Sequence, residues 1–171
     1  MNSRRALGLT FFASLVLMVT LLAETASADK VGLFKSKDGI KVRYTVVTPF
    51  LSVKTKTYPA IIAFSGSWQD SKAAKAAITD FWGPEARKRG YFVFVPEALK
   101  GYRFYQRGVF LAPELIEHFK KKFKIKGEKF HIAGNSNGGM SVFRIALKIR
   151  KRISSLTYSQ AFPRLPWITI A

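Results

Sequence analysis

Phe130 to Gly139 reads Phe-His-Ile-Ala-Gly-Asn-Ser-Asn-Gly-Gly, and this stretch decides the fold of the chain. Its first residues are mostly apolar and predict a buried strand, and the residues that follow it predict a helix. Gly134 and Gly138 stand two positions before and two positions after Ser136, so the spacing predicts a sharp turn at which two backbones pass closely. A serine hydroxyl becomes a good nucleophile only when a fold holds it exposed beside a base and opposite hydrogen-bond donors. Ser136 is therefore the candidate nucleophile.

Two other kinds of glycine-rich turn bind phosphates or dinucleotides, and neither fits this stretch. A phosphate-cradling loop of the Walker type ends in Gly-Lys-Ser or Gly-Lys-Thr, and the stretch contains no lysine. A dinucleotide-binding loop has its own glycine spacing, which Gly134, Gly138 and Gly139 do not supply. The stretch favours a turn that presents a serine.

The rest of the chain alternates predicted strands with predicted helices. Two alternating runs around Asp38-Gly39 predict an opening β-hairpin over residues 31–47. Unbroken apolar runs predict buried strands over residues 60–64 and 91–95, and two further strands are predicted over residues 129–133 and 153–158. Helices are predicted over residues 71–81, 84–89, 112–123 and 138–150. This order predicts an α/β fold with a mostly parallel sheet and flanking helices.

The N-terminus has the pattern of a secretory signal peptide. Arg4 and Arg5 precede an uncharged apolar run over residues 6–23, and Ala26-Ser27-Ala28 is a small-residue cleavage site. An uncleaved membrane anchor is the alternative, because the run approaches the length that spans a bilayer. We expect residues 1–28 to be the signal peptide, by the general or the twin-arginine route, and residues 29–171 to form the domain. The mature protein is then secreted or periplasmic.

Charge and composition limit the kinds of function. Removing Arg4, Arg5 and Glu24 leaves 27 basic and 9 acidic residues, a formal charge of +18. Such a field attracts anionic lipids and polyanions, although the lysines are scattered along the sequence and no specific nucleic-acid motif is present. The chain has no cysteine and two histidines, so we expect no disulfide, no thiol nucleophile, no metal site and no cofactor.

The strand, the turn around Ser136 and the helix together resemble the α/β-hydrolase superfamily, especially secreted esterases and polyester-depolymerase-like enzymes. The resemblance covers the N-terminal two-thirds of that fold, so residues 29–171 look like an incomplete hydrolase domain. It implies a carboxylic ester or other acyl substrate. It also implies an oxyanion hole made by two backbone amides, one just after the nucleophile and one in the loop after the third strand.

These implied positions fall on particular residues here. Asn137 matches the amide after the nucleophile. The loop usually begins with His-Gly, but here it reads Ser65-Gly66-Ser67-Trp68, and we expect the Ser67 amide to be the donor, with the Trp68 amide as the alternative. Asn135 is expected to line the cleft, with a role as an ordinary tight-turn residue as the alternative. Trp68 is expected to contact the substrate, with core packing as the alternative.

Aromatic side chains near these loops have two interpretations. Phe81 and Trp82 join Trp68 either in a substrate wall or in core packing. Tyr102, Phe104 and Tyr105 are placed where members of the family contact substrate, but ordinary loop packing is the interpretation that we favour for them.

The partners of a catalytic triad are missing from the sequence after Ser136. In the hydrolase family the acid and the histidine follow the nucleophile, but residues 137–171 contain no Asp, Glu or His. His118 is expected on a helix surface, and His131 at the wrong end of its strand. Lys148 and Lys151 are poor bases because a helix C-terminus favours their charged form.

Two functions follow from these observations. The first is a serine hydrolase, truncated and inactive or impaired by itself, with a separate chain as one possible source of the missing residues. The alternative is a non-catalytic basic protein that binds the cell envelope or a polyanion. The oligomeric state and the specific substrate are not readable from the sequence.

Overall fold

The computed structural model describes residues 29–50, 52, 55–159 and 168–170. The predicted signal peptide and residues 160–167 of the tail lie outside the described residues, so the predictions for them stay untested. Seven strands of the described part form one sheet, in the order β1-β2-β4-β3-β5-β6-β7. They are β1 Lys30–Lys35, β2 Lys41–Val47, β3 Ala60–Phe64, β4 Phe92–Pro96, β5 Phe130–Asn135, β6 Ile153–Ser159 and β7 Ile168–Ile170.

The central strands are parallel, as the sequence predicted. β3 pairs with β4 and β5, and β5 pairs with β6, all in parallel, whereas β1–β2, β2–β4 and β6–β7 are antiparallel. The opening hairpin is confirmed: Lys35 pairs with Lys41, and Gly39 takes a φ of 81° in the turn between them.

Helices cover both faces of this sheet. They are α1 Ser71–Ala76, α2 Gly83–Arg89, α3 Ala112–Lys122 and α4 Asn137–Ile149. Against one face, α1, α2 and the residues between them pack small side chains such as Ala74, Ala77 and Ala86. Against the other face, α3 and α4 bury a larger cluster rich in phenylalanine, in which Phe94 stacks on Phe119 at 4.1 Å between ring centroids.

The chain crosses the sheet in a way that creates a crevice. It leaves β3 over one face, through α1 and α2, to reach β4 on one side. It then returns over the other face, through α3, to β5 on the opposite side of β3. In open α/β sheets, ligands bind where the strand order reverses, at the carboxyl ends of the strands. Here that point lies between the ends of β3 and β5.

Two elements differ from the sequence prediction. The helix predicted over residues 71–81 is α-helical only to Ala76 and then widens into a π-helical segment, Ala77–Trp82. Pro84 has no N–H to donate to the carbonyl four residues earlier, so an ordinary α-helix cannot continue through it. The outer edge of β6 is paired from Leu156 to Tyr158 with β7, a short strand that the sequence did not predict.

His118 is also not the surface residue that the sequence suggested. Its side chain packs against Phe34, and its Nε2 lies 2.8 Å from the Tyr44 hydroxyl oxygen. Burial, with a smaller contribution from the charge of Lys122, lowers the pKa of His118 below its ordinary value. The residue therefore belongs to the packing between the opening hairpin and α3.

The tightest packing in the fold is the contact of α4 with the ends of β3 and β5. A Cβ on Gly138 would lie 1.9 Å from the Phe64 carbonyl oxygen, and a Cβ on Gly134 would lie 2.4 Å from the Gly138 backbone. Neither position has room for a side chain because the obstructing atoms are backbone.

We expect Gly138→Ala to lower the free energy of unfolding by about 3 kcal/mol or more, because α4 would have to move off β3. Gly139→Ala is the matched control: its Cβ would meet nothing closer than 3.6 Å, and we expect a change within about 1 kcal/mol. Urea denaturation followed by circular dichroism measures both. Equal unfolding midpoints for the two variants would show that the close approach does not hold the fold.

Candidate active site

Ser136 sits at the predicted sharp turn, between the last residue of β5 and the first residue of α4. Its backbone has φ 51° and ψ −121°, a strained conformation for a residue with a side chain. Its N–H donates to the Ser159 carbonyl of β6 at 2.9 Å, and its carbonyl accepts from the Met140 N–H at 3.2 Å. The turn is thus fixed from both sides, and the predicted strand, turn and helix are confirmed.

The loop after β3 lies beside this turn. Two of its residues that are not glycine have positive φ, Ser67 at 50° and Gln69 at 57°. The Asn137 side-chain amide donates to the Ser67 carbonyl at 2.8 Å, which ties the loop to the start of α4. The Ser67 C=O and the Trp68 N–H belong to one trans peptide, in which the two groups point in opposite directions. The Trp68 N–H therefore points away from the Asn137 side chain. The roles of the Asn137, Ser67 and Trp68 amides as oxyanion donors stay predictions.

Asn135 lies on the other side of the same loop. A Cβ on Gly66 would come within 3.0 Å of the Asn135 side-chain nitrogen. Asn135, Gly66 and Ser67 border a cavity of about 130 Å³, which Phe81 also lines. The structure therefore brings Ser67, Asn135, Ser136 and Asn137 together at the crevice between β3 and β5.

The aromatic residues predicted near the site differ in their exposure to solvent. Trp68 is 62% exposed next to the loop, and the Arg103 guanidinium lies 4.4 Å from the centre of its ring. Trp82 is half-buried and packs against the cluster under α1 and α2. Phe104 is fully buried in the core, so the alternative of ordinary packing is correct for that residue.

Gln69 holds several segments of the site together through its side chain, and the sequence did not predict this role. Its side chain is fully buried, and its amide nitrogen donates to the Ser65 carbonyl at 3.2 Å and to the Ser141 hydroxyl at 2.8 Å. Its amide oxygen accepts from the Phe104 N–H at 2.9 Å. Ser141 in turn donates to the Asn137 carbonyl at 3.0 Å. One glutamine thus joins the loop after β3, the loop after β4 and the first turn of α4.

A buried polar network of this kind holds the site in one geometry only while every member is satisfied. No single-sequence signal marks Gln69, because glutamine is usually exposed and follows no periodic pattern here. Only the three-dimensional arrangement shows that its neighbours close over it.

His131 lies far from Ser136, as predicted. The two residues are five positions apart along the chain, about 16 Å at the usual rise of a strand. The His131 Nδ1 is 2.7 Å from the Ser155 hydroxyl oxygen, and both residues line a largely apolar cleft of about 290 Å³ beside Trp82 and Tyr91. Burial lowers the pKa of His131 below its ordinary value.

Within residues 29–50, 52, 55–159 and 168–170, no acidic or histidine side chain forms a hydrogen bond with the Ser136 hydroxyl. The same residues contain no group of three His, Cys, Asp or Glu arranged for a metal ion. Among them, no helix has the length and apolar character needed to cross a membrane.

Solved structures match this arrangement of strands and helices. An S-formylglutathione hydrolase from Agrobacterium tumefaciens matches with a TM-score of 0.63 at 18% identity, over 77% of this chain and 60% of that one. The described chain has the α/β-hydrolase fold, in part. A thermostable esterase matches this hydrolase fold with a TM-score of 0.62 at 13% identity, over 74% of this chain and 39% of that one.

The Staphylococcus aureus fluorophosphonate-binding serine hydrolase FphF matches with a TM-score of 0.60 at 17% identity, over 74% of this chain and 54% of that one. The chain thus spans between 39% and 60% of the length of these three proteins. No protein-family model and no curated protein matches the sequence.

We expect Gln69→Leu to lower the free energy of unfolding by about 2–4 kcal/mol, because it leaves the Phe104 N–H and the Ser65 carbonyl buried without this partner. Gln106→Leu is the matched control, since Gln106 is exposed and a change within about 0.5 kcal/mol is expected there. Urea denaturation of both variants is the measurement. If they unfold at the same midpoint, the network around Gln69 does not stabilise the site.

Proposed function

We propose that this chain carries the nucleophile and oxyanion hole of a serine hydrolase that acts on carboxylic esters. Ser136 is the nucleophile, and the backbone amides of Asn137 and Ser67 are the oxyanion donors. One observation carries the proposal: a strained serine stands at the strand–helix turn beside a loop that Asn137 holds in place. Serine hydrolases and esterases among the structural matches support the same reaction class.

In the proposed reaction, the Ser136 Oγ attacks the ester carbonyl carbon and its proton passes to a base. The carbonyl oxygen becomes an oxyanion, which backbone N–H donors are well suited to hold because they are fixed before the reaction begins. Collapse of this intermediate expels the alcohol and leaves an acyl-serine, and water then releases the carboxylic acid.

The described residues bring neither the base nor the acid of a triad to Ser136. When the triad of a well-studied protease is disabled, the remaining site still gives about 10³–10⁴-fold over water. We therefore propose that the chain by itself is impaired and does not exceed this residual level. We also propose that residues 1–28 direct export and that the protein acts outside the cytoplasm.

A fluorophosphonate probe tests the nucleophile directly, because it forms a covalent bond only with an activated serine. We expect slow formation of one adduct on the full chain, seen by intact mass and located at Ser136 by peptide mapping. Ser136→Ala should lose the adduct, and Ser154→Ala, which changes an exposed serine of β6, should keep it. Absence of an adduct at Ser136 would remove the proposed nucleophile.

Chemical rescue separates a missing base from an inert serine. Added imidazole can take the proton that a triad histidine would take, so it should raise the rate of p-nitrophenyl acetate hydrolysis by the wild-type chain above that of Ser136→Ala. Imidazole alone also cleaves this ester, and the Ser136→Ala reaction measures that background. Equal rates for the two proteins at every imidazole concentration contradict the proposal. A non-catalytic basic binder, the alternative, would show no dependence on Ser136 in either experiment.

A further inference from the structure

The segments that lead into the parallel strands all lie at one end of the sheet, where those strands begin. In a parallel sheet, the connections that enter the strands all arrive at the same edge, opposite the carboxyl ends. Residues 55–59, 88–92, 121–130 and 150–153 form this edge here, and we call them the basal surface. Their backbones touch: the Tyr58 N–H donates to the Lys124 carbonyl at 3.1 Å, and the Phe92 N–H donates to the Pro59 carbonyl at 3.0 Å.

Lysines that are scattered along the sequence meet at this surface. Its four segments hold eleven basic residues and a single acidic residue, Glu128. All the basic residues are exposed except Arg152, which is half-buried. They are Lys56, Lys88, Arg89, Lys121, Lys122, Lys124, Lys126, Lys129, Arg150, Lys151 and Arg152.

The opposite end of the sheet, around Ser136, is nearly neutral. The segments that surround the crevice there, residues 65–71, 97–107 and 135–140, hold three basic and two acidic residues. The formal charge is therefore +10 at the basal surface and +1 around the crevice. The strong positive charge of the chain is concentrated on the side that faces away from Ser136.

Local pairing does not explain this concentration. Arg89 pairs with Glu85 at 2.9 Å, and Arg152 pairs with Glu117. Glu128 pairs at 3.1 Å with Lys120, a residue that lies just outside the basal surface. Among the described residues, the other nine basic side chains of the surface are in no ion pair.

Helix dipoles explain only part of it. A helix C-terminus favours cations within its last turn, which accounts for Lys88 in α2 and for Lys121 and Lys122 in α3. Lys124, Lys126 and Lys129 lie beyond the end of α3, where that effect has faded. Their mutual repulsion opposes folding, so an external anionic partner is the simplest reason to hold them together.

We propose that the basal surface binds the face of an anionic lipid bilayer and turns the Ser136 end of the sheet away from it. This inference does not depend on the proposed hydrolase function. Eight of the eleven basic residues are lysines, whose compact, strongly hydrated charges suit a diffuse layer of anionic head groups. Two of the three arginines are already paired with glutamates, so little capacity remains for bidentate recognition of single phosphates.

The surface also lacks what recognition of nucleic-acid bases requires. Proteins that bind single strands stack bases on exposed aromatic rings. At the basal surface, Tyr58, Tyr91 and Phe123 are half-buried, and Phe92 and Phe130 are buried. Phe92 packs against both Tyr58 and Phe123, at 5.7 and 5.6 Å between ring centroids, so these rings face the core.

Sedimentation of the full chain with lipid vesicles tests this proposal. The vesicles contain equal parts phosphatidylglycerol and phosphatidylcholine, with pure phosphatidylcholine vesicles as the neutral reference. The basal variant combines Lys121→Gln, Lys124→Gln, Lys126→Gln and Lys129→Gln. The matched control removes the same charge from exposed positions elsewhere, with Lys37→Gln, Lys41→Gln, Lys72→Gln and Lys75→Gln. Circular dichroism and the unfolding midpoint confirm that both variants fold.

We expect the basal variant to lose at least about tenfold in partitioning onto anionic vesicles, and the control to change by less than about threefold. Raising the salt concentration from about 0.1 M to 0.5 M should weaken binding of the wild-type chain steeply. Both results together support the proposal.

Three outcomes overturn it. Equal losses in the two variants would show that net charge, and not this surface, governs binding. Salt-insensitive binding, or equal binding to neutral vesicles, would assign the attachment to the apolar residues 6–23, which both variants retain. If the basal variant keeps its binding to vesicles but loses binding to a short DNA duplex, the surface is a nucleic-acid site.

Discussion

The fold depends on a contact between three backbones, where the first turn of α4 rests against the carbonyl end of β3 and the last residues of β5. Gly134 and Gly138 permit this contact because nothing larger than a hydrogen atom fits at either position. It fixes the direction in which α4 leaves the sheet and forces Ser136 into its strained conformation. The loop after β3 ends at the same point, so the nucleophile and its neighbouring amides take their positions from one packing constraint.

A second layer of structure holds what this contact brings together. The loop after β3 has two residues that are not glycine at positive φ, and each such residue is strained unless its surroundings compensate. Gln69 supplies much of that compensation from within, through hydrogen bonds to three separate segments. Asn137 supplies the rest from the helix side. The candidate site is therefore positioned by side chains that have no direct role in the proposed reaction.

Local patterns in the sequence were enough to predict strands β1 to β6, the α-helices and the turn at Ser136. Each depends on neighbours within a few residues, such as the glycines around Ser136 or the Asp38-Gly39 hairpin turn. Gln69 and His118 could not be predicted, because their burial depends on partners between 35 and 74 residues away in the chain. The π-helical segment before Pro84 arose from one missing N–H, which ordinary helical periodicity does not register. The meeting of lysines at the basal surface could not be predicted for a related reason: residues that are scattered in the sequence come together only through the topology of the parallel sheet.

The hydrogen bond from the Ser136 N–H to the Ser159 carbonyl has a consequence for how β6 relates to the site. This amide is occupied by a strand neighbour, so it is not free to serve an oxyanion, and any such donor must come from the residues beside it. The bond also couples the turn to the register of β6: a slip of that strand by one residue would move the Ser159 carbonyl out of reach of the Ser136 N–H and turn the β6 side chains to the opposite face of the sheet. Hydrogen exchange at Ser136 should therefore be slow although its side chain is half-exposed. The turn is open to reagents in solution but rigid toward motion of the sheet.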